Sequence, residues 1–168
     1  MSTVDDLLAS LTDAIRAEVE GHSFYLMAAK TTEDAQGKQV FEKLALDELE
    51  HADFLRQQYD IIVQHGAASE DLKLGVPKVP AGSPIFSDEL RNRADRANFE
   101  VTALSIGAQL EKTAMEFYRS QAEKAEDLIV RNFFGELADW EQTHWRLLTD
   151  QLDLLKDDFW SANQFSPF

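Results

Sequence analysis

Four glutamates and two histidines recur in the same order in the two halves of this sequence. In each half a single Glu is followed 30 residues later by a Glu-x-x-His motif, and the second set lies 93 residues after the first. The residues concerned are Glu18, Glu48, His51, Glu111, Glu141 and His144. Four carboxylates and two imidazoles spread over four helices are the ligand set of two-metal carboxylate sites in helical bundles. The pattern therefore predicts a metal centre.

The repeat extends beyond the six polar residues. Aligning residues 11–51 with residues 104–144 gives 12 identities in 41 positions, including Tyr25 with Tyr118. In all four segments the Glu and His residues interrupt an apolar stripe with steps of three and four, the period of one helix face. A Glu in such a stripe is costly to bury unless it is paired. The duplication of this conflict favours a shared function over chance.

Helical periodicity predicts an all-α fold with a single domain over residues 1–168. Because each half alone would expose its apolar stripe, we expect one four-helix bundle of two antiparallel helix pairs. A Gly- and Pro-rich crossover over 66–87 joins the pairs, and 22 extended residues span roughly 70 Å, more than a helix length of roughly 40 Å. The predicted helices cover about 4–31, 34–65, 88–122 and 126–155, followed by an aromatic tail over 156–168. The tail contains Phe159, Trp160, Phe165 and Phe168, and we expect it to pack on the bundle or on a partner subunit.

Charge balance indicates how many metal ions the cluster holds. Four buried carboxylates without cations repel one another and take up protons. Two divalent cations neutralise them, and neutral imidazoles complete the coordination. Oxygen and imidazole donors without thiolate suit iron or manganese better than structural zinc.

Three further side chains are predicted to support the ligands. Tyr25 and Tyr118 lie seven residues after Glu18 and Glu111, on the same helix faces. Each phenol is expected to donate a hydrogen bond to a carboxylate of the opposite half. Asp47 is predicted to accept the distal N–H of His144. The equivalent position in the second copy is Trp140, so His51 is expected to lack such an acceptor.

Composition excludes several other functions. The net charge of -15 disfavours nucleic acid and anionic membranes as partners. The absence of cysteine excludes disulfides, thiolate zinc sites, iron–sulfur clusters and a catalytic thiol. No signal pattern and no apolar run of about 20 residues is present, so we expect a cytoplasmic protein without a membrane span.

These motifs resemble those of the ferritin-like superfamily, specifically the rubrerythrin-type diiron proteins, over roughly residues 4 to 155. The resemblance implies two iron ions, oxidation chemistry with peroxide or dioxygen, and a homodimer or larger homo-oligomer. It also implies that Glu48 and Glu141 bridge the metals. Glu18 with His51 would complete one coordination shell, and Glu111 with His144 the other.

The sequence departs from that family at two positions of chemical importance. Rubrerythrins proper carry a rubredoxin-like domain with four Cys, so here we expect an external electron donor. They also have an additional Glu one turn after the third-helix ligand, where this chain has Ala114. In this respect the site resembles a bacterioferritin ferroxidase centre, but Leu49 replaces the Met that binds haem there, so no haem is expected.

The favoured function is a diiron oxidoreductase that oxidises Fe(II) or reduces peroxide. Iron storage in a cage and a dimanganese catalase are the alternatives, because the same ligands accept manganese. An oxygenase acting on an organic substrate is a further alternative, for which the sequence shows no evident substrate pocket.

Overall fold

The computed structural model describes residues 3–162, and the secondary structure within them is helical, without strands. Four long helices and one short helix follow one another along the chain. They are α1 (Val4–Thr31), α2 (Ala35–His65), α3 (Asp88–Arg91), α4 (Asn98–Lys124) and α5 (Leu128–Ala162), with a 3₁₀ turn at Ala94–Arg96 between α3 and α4. None of these helices combines the length and the apolar character that crossing a membrane requires.

Local capping determines where the first two helices begin and end. Thr3 and Asp6 form a reciprocal capping box at the start of α1. Asp34 caps α2 by accepting a hydrogen bond of 2.8 Å from the Gly37 N–H. Gly66 ends α2 with a φ of 76°, a left-handed conformation that glycine adopts at little cost.

The long helices pack as two pairs, α1 with α2 and α4 with α5. This is the predicted four-helix bundle of two antiparallel pairs joined by a long crossover. The crossover is anchored to the bundle by buried Val79, Ile85 and Phe86. The side chain of Gln151 on α5 accepts a hydrogen bond of 2.7 Å from the Ile85 N–H, which fixes the end of the crossover.

Two predicted boundaries were wrong. A continuous third helix over 88–122 was expected, but Ser87 caps only the four-residue α3, and the long helix begins at Asn98. Ala97 provides no side-chain cap there, so the sequence carries no local signal for this second start.

The fourth helix was predicted to end at 155, but α5 continues to Ala162. No proline interrupts it, and Asp158 forms an ion pair of 2.9 Å with Arg91 of α3. Part of the expected aromatic tail is therefore helical, with the Phe159 and Trp160 rings in edge contact at 5.7 Å. Phe165 and Phe168 lie outside the described residues.

Two apolar clusters fill the bundle, and the predicted ligands separate them on every long helix. On α1, Leu11 and Ala14 belong to one cluster and Tyr25 and Ala28 to the other, with Glu18 in between. The candidate ligands likewise separate the two clusters on α2, α4 and α5, and the order of the clusters along the chain is reversed on α2 and α4. Rigid apolar packing on both sides therefore fixes the height of a single polar layer across the bundle.

Candidate metal centre

The six predicted ligands meet in the polar layer, and all of them are buried. Their donor atoms form two groups in which all atoms lie within 4.8 Å of one another. One group consists of Glu18, Glu48, His51 and Glu141, and the other of Glu48, Glu111, Glu141 and His144. Glu48 and Glu141 belong to both groups. Two overlapping donor sets that share two carboxylates are the arrangement expected for two adjacent metal positions.

The Nδ1 atoms of both histidines face the carboxylates. His51 Nδ1 lies 2.9 Å from Glu141 Oε1 and 3.4 Å from Glu18 Oε2. His144 Nδ1 lies 3.2 Å from Glu48 Oε1, 3.5 Å from Glu141 Oε2 and 3.7 Å from Glu111 Oε1. The Nδ1 lone pairs are therefore the donors available to cations, and Nε2 of each ring points away from the cluster.

The hydrogen bonding of the layer fits two cations. Buried polar atoms in proteins are normally paired. Within residues 3–162, seven of the eight buried side-chain atoms without a hydrogen-bond partner belong to this layer: Glu18 Oε2, Glu48 Oε1, Glu141 Oε1 and Oε2, His51 Nδ1 and Nε2, and His144 Nδ1. Six of these are atoms that face the cluster. Metal ions are the partners that satisfy converging carboxylate and imidazole lone pairs together.

The same crowding shifts the pKa values of the bridging pair upwards in the absence of metal. Burial, with the charges of Glu18 and Glu111, raises the pKa of Glu141 to about 8. Burial and three neighbouring carboxylates raise the pKa of Glu48 well above its usual value. The protonated form of each carboxyl is thus favoured until a cation replaces the proton.

The pKa values of the two histidines are also raised, which favours their charged form, whereas the raised pKa values of Glu48 and Glu141 favour the neutral form. Burial lowers the pKa of His51, but the charges of Glu141 and Glu18 more than reverse this effect and raise it to about 10. The carboxylates around His144 likewise outweigh burial and raise its pKa well above its usual value. Without metal, imidazolium therefore partly neutralises the carboxylates, and metal binding must release these protons.

The predicted tyrosine hydrogen bonds are present. The Tyr25 hydroxyl donates to Glu111 Oε1, and the Tyr118 hydroxyl donates to Glu18 Oε1. Each phenol belongs to the other half of the repeat from its carboxylate. Both tyrosines are fully buried, so these bonds fix the carboxylates against rotation and link the two halves across the bundle.

Asp47 also lies where the sequence predicted it. Its Oδ2 atom is 3.0 Å from His144 Nε2, and its side chain is completely buried. Burial raises the Asp47 pKa, but the hydrogen bond and charge of His144 and contacts with Lys78 outweigh this and lower it. An ionised Asp47 accepts the Nε2 proton of His144, which keeps the lone pair on Nδ1.

Lys78 was missed by sequence reasoning. Its backbone N–H donates to Asp47 Oδ2 at 3.1 Å, and its ammonium donates to Asp47 Oδ1 at 3.1 Å and to Glu50 Oε2 at 2.5 Å. The residue lies in the aperiodic crossover, so no pattern in the sequence places it beside α2. Its charge compensates that of the buried Asp47.

Trp140 contacts both histidines. Its ring meets His51 edge-on, with ring centres 4.6 Å apart, and its Nε1 lies 3.1 Å from His144 Nε2. As predicted, His51 Nε2 has no hydrogen-bond acceptor among the described residues. Trp140 Nε1 and Asp47 Oδ2 both approach His144 Nε2.

Gly21 lies close to the site. A Cβ atom at this position would lie 3.0 Å from Glu48 Oε2, a tighter contact than most Cβ atoms make, so a larger residue would require the Glu48 carboxylate to shift. The position equivalent to Gly21 in the second copy is Ala114, 93 residues later.

The fold and the site together define an all-α bundle built on a duplicated helix pair, with a buried cluster of carboxylates and histidines that could hold metal ions. The Rubrerythrin family matches residues 10–152, which include all six candidate ligands. The chain belongs to the rubrerythrin family. Searches of curated proteins and of solved structures found no match.

Proposed function

We propose that this chain is a diiron-carboxylate oxidoreductase that oxidises Fe(II) or reduces peroxide at the buried centre. The observation that carries the proposal is the convergence of six unpartnered donor atoms from buried Glu and His side chains on one layer. Family membership supports the same chemistry. When bound, a pair of iron ions supplies two-electron chemistry with dioxygen or peroxide.

The side chains have distinct tasks in this proposal. Glu48 and Glu141, which belong to both donor groups, would be shared by the two ions. Glu18 with His51 would hold one ion, and Glu111 with His144 would hold the other. The four carboxylates match the charge of two divalent cations, and the apolar clusters above and below exclude bulk water.

Tyr25, Tyr118 and Asp47 position the ligands. The two phenols donate to Glu111 Oε1 and Glu18 Oε1 and hold these carboxylates in place. Asp47 holds the proton of His144 on Nε2. These groups are already oriented in the folded chain, so little reorganisation accompanies metal binding.

Anaerobic titration with Fe(II), followed by a pulse of air or peroxide, tests the proposal. We expect two irons per chain and ferric absorption in the near ultraviolet after the pulse. Glu141→Gln should lose both, whereas Glu136→Gln, an exposed change on the same helix, should retain them. Wild-type protein that binds no iron pair, or whose bound pair gives no ferric absorption, would refute the proposal.

Manganese is the other metal that this donor set accommodates, because carboxylate and imidazole oxygen and nitrogen atoms serve both ions. Metal analysis of protein from its native host distinguishes a dimanganese catalase from a diiron enzyme. We also propose a homodimer or larger homo-oligomer, as the resemblance to rubrerythrin-type proteins implies. We propose a separate electron donor, because this sequence has no cysteine to hold a second redox centre. Light scattering tests the assembly, since a dimer excludes a storage cage.

A further inference from the structure

A cavity of about 260 Å³ lies between α1 and α4 and reaches the proposed metal centre. Its inner end is formed by Glu18, Tyr25, Glu48, Glu111 and Tyr118. Its outer end is at the protein surface, where Ala17 and Leu110 are exposed. The other cavities found among the described residues are not lined by any of the six candidate ligands.

The walls of this cavity are small and apolar. Ala17 and Gly21 on α1 face Leu110 and Ala114 on α4, and the two pairs are equivalent positions of the repeat, 93 residues apart. Phe117 adds an aromatic wall. Ala114 contributes only a methyl group to this space.

The polar groups around the cavity disfavour charged or strongly hydrogen-bonding ligands. The hydroxyls of Tyr25 and Tyr118 already donate to Glu111 and Glu18, so neither proton is available to a ligand. Asp13 and Glu20 line the cavity and repel anions. The carboxylates at the inner end attract metal cations, but the apolar walls cannot replace the hydration shell of an organic cation held between them. A neutral molecule meets none of these penalties.

The volume limits the size of the ligand. Drug-sized ligands occupy pockets of roughly 300–1,000 Å³. An apolar cavity of roughly 150 Å³ is sufficient to bind benzene. The space between α1 and α4 therefore suits a molecule with one aromatic ring or a short alkyl chain, and is much larger than dioxygen or peroxide requires.

We propose that this cavity binds a small, neutral, apolar organic molecule against the carboxylates of the metal centre. Only the ligand's position beside metal ions rests on the proposed function, because binding to the cavity walls does not itself require metal. The structure thus supplies the organic-ligand pocket that the sequence did not reveal.

Fluorine NMR of fluorobenzene with the full-length chain tests this proposal. We expect saturable line broadening with one site per chain, in protein as purified and after chelation. Iron loading should add paramagnetic relaxation that chelation removes, which places the ligand beside the metals. Benzoate, tested as its fluorinated analogue, should not bind, because the acidic lining repels it.

Substitutions separate this cavity from other apolar surfaces. Ala114→Phe fills the space and should abolish saturable binding. Ala17→Phe, at an exposed position that tolerates a larger side chain, should weaken binding even if the first variant does not fold. Ala9→Phe is the matched control, because Ala9 is exposed on the same helix but does not line the cavity, and it should bind like wild type.

The possible outcomes distinguish this inference from the proposed function. Absence of saturable binding to a wild-type chain that holds two irons would overturn the cavity proposal and leave the diiron proposal intact. Equal binding by wild type and by folded Ala114→Phe and Ala17→Phe proteins would also overturn it. Binding that obeys the substitutions in a chain without metal affinity would support the cavity and refute the diiron centre.

Discussion

The two halves of the repeat present the same ligands to the centre but support their histidines differently. His144 Nε2 lies 3.0 Å from the buried Asp47, which the crossover residue Lys78 holds from both its backbone and its side chain. His51 Nε2 has no acceptor in the described part of the chain, and the equivalent of Asp47 is Trp140, whose ring packs edge-on against His51.

The two copies therefore share the side chains that face the candidate metal centre but differ in the residues that contact the histidines from behind. A carboxylate behind a metal-bound imidazole raises the basicity of the ligand and fixes its tautomer. An indole ring does neither. We therefore expect two inequivalent metal positions, with tighter binding at Glu111 and His144 than at Glu18 and His51.

The largest expected effect comes from Glu48→Gln, because both halves share Glu48. The substitution should remove high-affinity binding at both positions, which anaerobic metal titration measures. The fold should survive, since the raised pKa of Glu48 leaves its carboxyl protonated without metal and Gln resembles that neutral form. The metal-free variant should therefore melt within a few degrees of wild type.

Glu42→Gln is the control for this substitution, because Glu42 is exposed on the same helix, α2. It should bind metal like wild type. If Glu48→Gln weakened only one position, Glu48 would not be shared, and the two halves would be separate sites rather than one centre.

Asp47→Asn tests the comparison directly. Loss of a carboxylate behind a metal-bound histidine typically costs about 10–100-fold in metal affinity. We expect that loss at the position served by His144 and little change at the other. The two steps of a cobalt titration should therefore lie closer together than in wild type. Asp53→Asn, an exposed change on the same helix, should leave both steps in place. Equal weakening of both positions would contradict the inequivalence.

The sequence predicted the six ligands because helical periodicity and duplication each constrain them. A polar residue in an apolar stripe must face the core, and the second copy shows that the conflict is not accidental. The hydrogen bonds of Tyr25 and Tyr118 followed from the same period. In long helices with strong apolar patterns, the sequence therefore predicts which residues face the core.

Features built by the crossover did not follow from sequence. Lys78 reaches Asp47 only because the crossover over 66–87 folds back over α2. A segment without helical or strand periodicity does not predict which of its residues will contact a neighbouring helix. The break before Asn98 was missed because Ala97 offers no cap. The cavity beside Ala114 depends on how far apart α1 and α4 lie, which side-chain volume in three dimensions decides.

The melting temperature of the metal-free protein, measured over a series of pH values, tests the protonation of Glu141 and His51, one from each half of the repeat. The pKa of Glu141 is raised from 4.5 to about 8 and that of His51 from 6.5 to about 10, so each group binds its proton more tightly in the folded chain. The resulting stabilisation is complete below the unfolded values and is lost as pH rises through 8 and 10. Metal-free protein should therefore lose several degrees of melting temperature between pH 6 and 9.

Metal ions replace these protons, so the loaded protein should lose less stability over the same range. The gap between loaded and metal-free melting temperatures should then widen with pH. Glu18 and Glu111 have lowered pKa values, so the stabilisation that they contribute is complete above about pH 4.5 and is lost only below it, outside this range. A metal-free melting temperature that rises from pH 6 to 9 would show that the carboxyls are not clustered as described.

The smallest effect is expected from Lys78→Met, which acts on His144 through Asp47. The ammonium is 35% exposed, and ion pairs of that exposure contribute at most about 1 kcal/mol. The backbone N–H of residue 78 still donates to Asp47, so affinity at the His144 position should fall only about two- to fivefold. Lys73→Met, an exposed change in the same crossover, should have no effect. A loss as large as that of Asp47→Asn would mean that the ammonium, rather than the backbone, keeps Asp47 ionised and in place, and the inequivalence of the two halves would then depend on a single exposed cation.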